Sequence, residues 1–311
     1  MVAVTSTTLG DYLPLVATGK VREIYELDDH KLLFVTTDRI SAFDVIMDNS
    51  IDQKGAILTH LSEFWFKLMQ KKIPSLPTHF LSTGIPSDLK QRLPSDLGAQ
   101  LDSRSMVVKR LKVLPIESIV RGYITGSAWT SYQKDGTFVG ISLPAGLQES
   151  QKFDKPIWTP STKAEVGGKD ENITAQQAAD LVGPEIVTQI RDFSLQLYDE
   201  ASIYAAARGI IVADTKFEFG IDESSTPPLL VLVDEVLTPD SSRFWSAERY
   251  EIGRSQESFD KQHLRGNDAF GQLNSPKGKT GVTMPEAIVA NTFTRYKEAY
   301  ETLLGCTWQD K

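Results

Sequence analysis

A chain of 311 residues with 41% hydrophobic side chains can bury one large core or two closely packed ones. Its 33 basic and 41 acidic residues leave a net charge of −8, which argues against nucleic acid as a main partner, since a phosphate backbone needs a basic field. One cysteine, Cys306, rules out an internal disulfide framework or a cysteine-based metal site, and His30, His60, His79 and His263 lack zinc-hydrolase spacing. No signal-peptide pattern opens the chain, and no apolar run reaches membrane-spanning length. The expectation is a cytoplasmic monomer in a reducing compartment, with no membrane partner.

Gly19 permits a tight turn, after which Lys20 and Arg22 fall on one face of a strand; Asp28 to His30 is a turn and residues 31–36 the returning strand. A glycine turn with two cations suits nucleotide phosphates or an ordinary hairpin, and the P-loop pattern is absent. Asp38, Arg39, Ser41 and Asp44 form a polar turn that also reads as an Asp-capped turn with an Arg ion pair. Residues 55–72 are predicted as an amphipathic helix, with Leu58, Leu61, Trp65 and Leu68 at helical spacing and Phe64 and Met69 widening the stripe. Four prolines punctuate the next segment, predicted irregular with one short helix at residues 88–92.

Residues 105–115 read as a strand stopped by Pro115. A second apolar run then delivers Arg121 to a turn holding Gly122, Gly126 and Ser127. A guanidinium, a hydroxyl and backbone N–H groups suit an anion there, although Arg121 could equally structure its own loop. Residues 158–172 are predicted as a long functional loop. Thr174 to Gln177 is a capping box for a short helix broken at Gly183-Pro184. The next helix runs to Arg208, with Ile186, Val187, Ile190, Phe193, Leu197, Ala201 and Tyr204 as its stripe and Gly209 ending it. A short helix is predicted at 258–264 and a mobile loop at 266–281. A second capping box, Thr283 to Glu286, then opens a last helix ending at Gly305.

The most informative stretch is 210–236. Residues 210–220 and 229–236 read as two antiparallel strands joined by a Pro-rich loop. Alternation puts Asp214, Lys216 and Glu218 on one face and Thr215, Phe217 and Phe219 on the other, with ~7 Å between i and i+2 neighbours. Asp234 is expected to join the acidic face across the ladder. Sheltered carboxylates repel unless a cation lies between them, and oxygen-only ligands favour Mg²⁺ with phosphates. The same pattern also fits an exposed, salt-bridged edge strand.

Residues 113–127 and 212–220 closely resemble the two signatures of the SAICAR synthetase family. The Gly19–Arg22 opening, the Asp38–Asp44 turn, Ser161–Glu165 and Asp234–Arg243 resemble it as well, nearly end to end and most strongly the fungal members. The resemblance implies an α+β fold in which antiparallel sheets sandwich ATP, as in protein kinases and ATP-grasp enzymes. It also implies an ATP-covering part over residues 1–111 and an ATP and substrate part with C-terminal helices over 112–311. The implied reaction joins L-aspartate to carboxyaminoimidazole ribotide (CAIR), giving SAICAR, ADP and phosphate in purine biosynthesis, by way of an acyl phosphate.

The resemblance further assigns Lys216 and Asp214 to catalysis and Glu218 and Asp234 to Mg²⁺. ATP falls to Gly19, Lys20, Arg22, Lys109, Val113 and Lys163. The other substrates fall to Asp38, Arg39, Ser41, Glu117, Arg121, Ser127, Asp170, Asp240, Ser242 and Arg243. Where the family commonly carries His-Asp-Glu-Asn, this chain has Lys169-Asp-Glu-Asn, which puts any proton-shuttling role there in doubt. A small-molecule kinase would use the same Mg-ATP hairpin without an amine, and a non-catalytic nucleotide sensor would have lost the metal ligands.

Overall fold

A computed structural model of the chain describes residues 3–42, 45–163, 170–259 and 282–309. A first antiparallel sheet is built from β1 (Leu15–Thr18), β2 (Arg22–Asp28) and β3 (Lys31–Thr36), the hairpin expected around residues 28–30. A two-residue pair follows, β4 (Ser41–Ala42) with β5 (Val45–Ile46), then helix α1 (Lys54–Lys72). Strand β6 (Phe80–Thr83), helices α2 (Ser87–Arg92) and α3 (Ser95–Asp102) and strand β7 (Ser105–Lys109) complete this half, in the order β1-β2-β3-β7-β6. The chain changes sheets at residues 110–111.

The second sheet starts with β8 (Lys112–Tyr123), followed by α4 (Gly126–Asp135), the small hairpin β9 (Thr137–Phe138) and β10 (Ile141–Ser142), and β11 (Lys152–Thr162). Helices α5 (Ala175–Val182) and α6 (Pro184–Ala206) lead into β12 (Ile210–Asp222). Strand β8 pairs one edge of β12. Strands β13 (Leu229–Val233) and β14 (Ser242–Ser246) share the other edge. Helix α7 (Glu286–Leu304) closes the chain. The expected α+β architecture of antiparallel sheets is therefore present.

One buried cluster joins both halves. Phe217 and Phe219 on the inner face of β12 pack with Trp65 of α1, Leu197 of α6, Tyr296 of α7 and Phe34 and Val108 of the first sheet. The predicted helical stripes lie here: Leu58, Leu61 and Trp65 are buried, as are Val187, Ile190, Leu197 and Ala201. Thr174 makes the full capping box with Gln177.

Five sequence expectations change. The segment after α1, expected irregular with one short helix, also holds β6 and α3. Pro115 does not stop a strand: β8 runs through it by bulging between Val113 and Glu117 opposite Gly220 and Glu218, a place where a missing N–H is tolerated. Residues 158–162 belong to a strand, β11, not a loop. Pro160 fits because β11 lies at the end of the sheet and the Pro160 carbonyl points outward to accept from Ile173, so its lost N–H is on the unpaired side. Residues after Gly126 form helix α4 rather than a turn. The second capping box is not made: α7 has Pro285 at its N-cap, and Thr283 donates instead to Asp48. The predicted loop at 266–281 lies outside the described residues, as does most of the short helix at 258–264.

Gly122 marks a tight crossing. A β-carbon there would lie 1.8 Å from the Tyr198 hydroxyl, which is fixed by donating to the Val212 carbonyl at 2.7 Å. Gly122→Ala should lower stability by roughly 1–3 kcal/mol through overpacking. Urea unfolding measures this, and an unchanged midpoint would contradict so close an approach.

Candidate active site

The polar face of the second sheet is organised in rows across its strands. In the first row Asp214 on β12 lies in register with Arg121 on β8 and Arg243 on β14. Arg121 Nη1 donates to Asp214 Oδ2 at 3.0 Å, and Arg243 Nη1 donates to the same oxygen. Arg121 also donates to Thr159 Oγ1 at 3.1 Å and Ser127 Oγ at 3.4 Å, and its guanidinium stacks over Phe138. Burial, aided by the neighbouring Arg243, lowers the Arg121 pKa to about 10 against the pull of Asp214. Two guanidiniums converge on one carboxylate oxygen here, a donor-rich place for an anion.

The N-terminus of α4 reinforces this. Its N-cap, Thr125, makes no side-chain cap bond, so the first-turn N–H groups and the positive end of the helix border the arginines. Gly126 is required twice over: its φ is +55°, and a β-carbon would sit 2.7 Å from Arg243 Nη2.

Further along the same face, Glu218 stands directly opposite Glu117 across the β12–β8 ladder. Like charges in that position repel. Lys216 Nζ relieves them by lying 2.5 Å from Glu218 Oε1 and 3.1 Å from Glu117 Oε1, while Lys163 takes the other Glu218 oxygen. Ser161 Oγ donates to Glu117 Oε2 at 3.0 Å. Burial raises the Glu117 pKa, with the charges of Glu218 and Asp170 adding and Lys216 opposing. For Lys216 burial opposes the charge, but Glu218, Glu117 and Asp234 outweigh it and hold the ammonium well above its ordinary pKa.

Asp234 reaches this cluster by an unexpected route. Glu218 pairs with Val233, so a continued ladder would set Asp234 opposite Phe217, on the core face. Asp234 instead leaves the ladder with φ +64°, and its carboxylate meets Arg22 of β2, reaching over from the first sheet. Burial works against both charges. It is outweighed for Asp234 by Arg22, Lys216 and Lys163, which hold its carboxyl well below the usual range, and for Arg22 by Asp234 and Glu235.

The remaining predicted residues separate into two groups. Gly19 and Lys20 form the turn before β2, so Lys20 is not on the strand with Arg22. Arg39 laces that turn, donating to the carbonyls of Gly19, Lys20 and Thr5 and to Glu23. Ser242 shares a buried hydrogen bond with Thr215 beside Arg243, and Asp170 is exposed within electrostatic reach of Glu117. By contrast, Asp38 is fully buried and accepts from Val4 N, Gly55 N and Arg104, which makes it part of the frame. Ser41 is buried in β4. Lys109 lines a cavity of about 450 Å³ at the far end of β12 with Leu111, Ile221 and Asp222, and Val113 is exposed opposite Gly220. Asp240 is buried between Lys54 Nζ at 2.8 Å and the Tyr296 hydroxyl at 2.5 Å. Asp44 and Lys169 lie outside the described residues.

Glu235, Lys54 and His79 are absent from the expected set. Glu235 is buried 3.8 Å from Arg22 and accepts from Thr238 at 2.8 Å. Burial pushes its carboxyl up, with Asp240 and Asp234 adding and Arg22 opposing. His79 contacts the Asp234 main chain, and burial lowers its pKa to about 4.

Does this face fit a metal and phosphates? Among the described residues no three His, Cys, Asp or Glu side chains form a ready metal cage. Glu218 and Asp234 offer two hard oxygen ligands, which suits Mg²⁺ completed by phosphates and water. Arg22 Nε is buried with no hydrogen-bond partner among the described residues, so the guanidinium retains an unused donor. The residues fit.

The fold and this face together define an α+β enzyme that handles small anionic substrates. A family model described as SAICAR synthetase matches residues 15–276. The phosphoribosylaminoimidazole-succinocarboxamide synthase of Pichia angusta is 56% identical over 98% of this chain and 99% of its own. The SAICAR synthase of Saccharomyces cerevisiae, solved with SAICAR, superposes with a TM-score of 0.86 at 50% identity, covering 99% of this chain and 100% of that one. A SAICAR synthetase solved with ADP superposes at 0.67 and 26% identity, covering 94% and 99%. The chain belongs to the SAICAR synthetase family.

The Lys54–Asp240 pair gives a direct test of the frame behind the face. Lys54→Met would remove the cation paired with a buried carboxylate and should cost roughly 3–5 kcal/mol in urea unfolding. An unchanged midpoint would contradict a buried, structural pair.

Proposed function

We propose that this chain is the ATP-dependent ligase of its family, joining L-aspartate to CAIR to give SAICAR, ADP and phosphate in purine biosynthesis. One observation carries the reading. Arg22, Lys163 and Lys216 converge on Glu218 and Asp234 from three separate segments. On the same face, about 13 Å along β12 by strand rise, lies the Arg121–Asp214–Arg243 row. One end suits a metal-bound triphosphate, the other the phosphate of a ribotide. The relatives solved with SAICAR and with ADP support both ends.

The chemistry explains the charges. A carboxylate is a poor acyl donor, so the CAIR carboxylate takes the γ-phosphoryl group from ATP, releasing ADP. The aspartate amine then attacks the acyl carbon, loses a proton and expels phosphate. Phosphoryl transfer needs positioning and charge neutralisation more than covalent help. Mg²⁺, held by Glu218 and Asp234, would supply charge neutralisation on the phosphate oxygens.

In this reading Lys216 meets the transferring group, and Arg22 and Lys20 steady the outer phosphates. Gly19 lets their turn close, shaped by Arg39. Lys109 and the backbone at Val113 face the nucleotide, Lys163 and Asp170 lie beside the phosphates and the aspartate, and Glu117 borders the substrates. Arg121, Ser127 and Arg243 hold the ribotide phosphate. Asp214 spends Oδ2 on fixing both arginines, and its Oδ1 would orient or deprotonate the incoming amine. Asp38, Ser41, Asp240 and Ser242 act through the frame, Asp240 by anchoring the turn that carries Ser242 and Arg243. The described residues contain no helix long and apolar enough to cross a membrane. We read the protein as a cytoplasmic monomer.

A small-molecule kinase reading is not favoured, because the relatives that match nearly the whole chain are synthases. Steady ADP release with CAIR should require aspartate; release at the same rate without it would support the kinase instead. Glu218→Gln should lower turnover by roughly 10²–10³-fold or more while leaving the circular-dichroism spectrum intact. Full activity at saturating Mg²⁺ would remove Glu218 from the ligand set.

A further inference from the structure

The segment at residues 77–79 is docked on β13. Leu232 N donates to the Pro77 carbonyl and His79 N donates to the Leu232 carbonyl, both at 2.9 Å. This brings the His79 ring to the point where Asp234 leaves the ladder, with Nε2 3.1 Å from the Asp234 carbonyl oxygen. A carbonyl only accepts, so Nε2 carries the proton. The ring is buried and wedged between Phe34, edge-on at 5.6 Å, and Phe66 at 5.4 Å, so it has little freedom to turn away. Arg22 covers Phe34 on its way to the Asp234 carboxylate.

We propose that His79 is a positioning residue for Asp234. Its N–H holds the Asp234 main chain in the left-handed conformation that turns the carboxylate out of the core face and toward Lys216 and Glu218. Asp tolerates the left-handed region better than most residues, yet at φ +64° Asp234 still gains from a hold on its backbone. Arg22 cannot provide all of it, because Arg22 grips only the side chain and would be drawn to phosphate. His79 grips the backbone and is itself buried. The proposal rests on reading Asp234 as a metal ligand.

The test is Mn²⁺ binding in the presence of ADP, followed by electron paramagnetic resonance on the full chain. His79→Gln can still present an N–H near the Nε2 position, whereas the shorter His79→Asn cannot. The Gln variant should bind Mn²⁺ within a few-fold of the native protein, and the Asn variant roughly 10–100-fold more weakly, as for other residues that orient a metal ligand. Asp234→Asn is the control. If it abolishes Mn²⁺ binding while both His79 variants bind normally, the positioning role is overturned. Equal losses in both His79 variants, tracking their unfolding midpoints, would show a packing residue and overturn it too. If Asp234→Asn binds Mn²⁺ normally, the ligand reading itself fails and the proposal falls with it.

Discussion

Glu117 and Glu218 face each other directly across neighbouring strands, and neither is freely solvated. Two carboxylates so placed cannot both stay charged without cations between or beside them. In this chain the cations come from the sheet itself, Lys216, from the end of β11, Lys163, and from the opposite sheet, Arg22 through Asp234. Much else follows from that requirement. The two sheets are tied together at the point where charge must be balanced, and the ties are the same groups that a nucleotide phosphate and its metal would recruit. Binding would therefore exchange one set of counter-charges for another.

The same strand solves a second problem at its other end. Asp214 accepts from both Arg121 and Arg243, and the start of α4, which has no side-chain cap, lies beside them. At the Glu218 end three cations, Lys216, Lys163 and Arg22, meet the carboxylates of Glu218, Glu117 and Asp234, while the Arg121 end presents a pair of guanidiniums. A substrate phosphate anchored on the arginines would leave a carboxylate at the substrate's other end directed toward Lys216 and the metal site. The inner face of β12, with Phe217 and Phe219, locks the register of both ends into one core.

Much of this was legible from alternation alone. Asp214, Lys216 and Glu218 had to share a face once Phe217 and Phe219 were assigned to the core. Asp234 reached that face for a reason alternation does not contain, a left-handed backbone at the strand end. Prolines misled in a consistent way: Pro115 and Pro160 mark a bulge and an outward-facing strand position, distinctions that depend on which neighbour is present. Helix α4 has little apolar stripe to reveal it, since only Ala128 of its residues is buried. Asp38 and Asp240 carried the polarity of ligands, yet partners far along the chain, Arg104 and Lys54, hold them. The role of His79 likewise depends on a contact across 155 residues.

The most direct measurement is a crystal structure with Mg²⁺, ADP and CAIR bound together. Nucleotide phosphates should lie against Arg22, Lys163 and Lys216, with the metal on Glu218 and Asp234 and the ribotide phosphate between Arg121 and Arg243. Phosphates bound elsewhere, with Arg22 still on Asp234 and both lysines still on Glu218, would contradict the counter-charge exchange on which the reading stands.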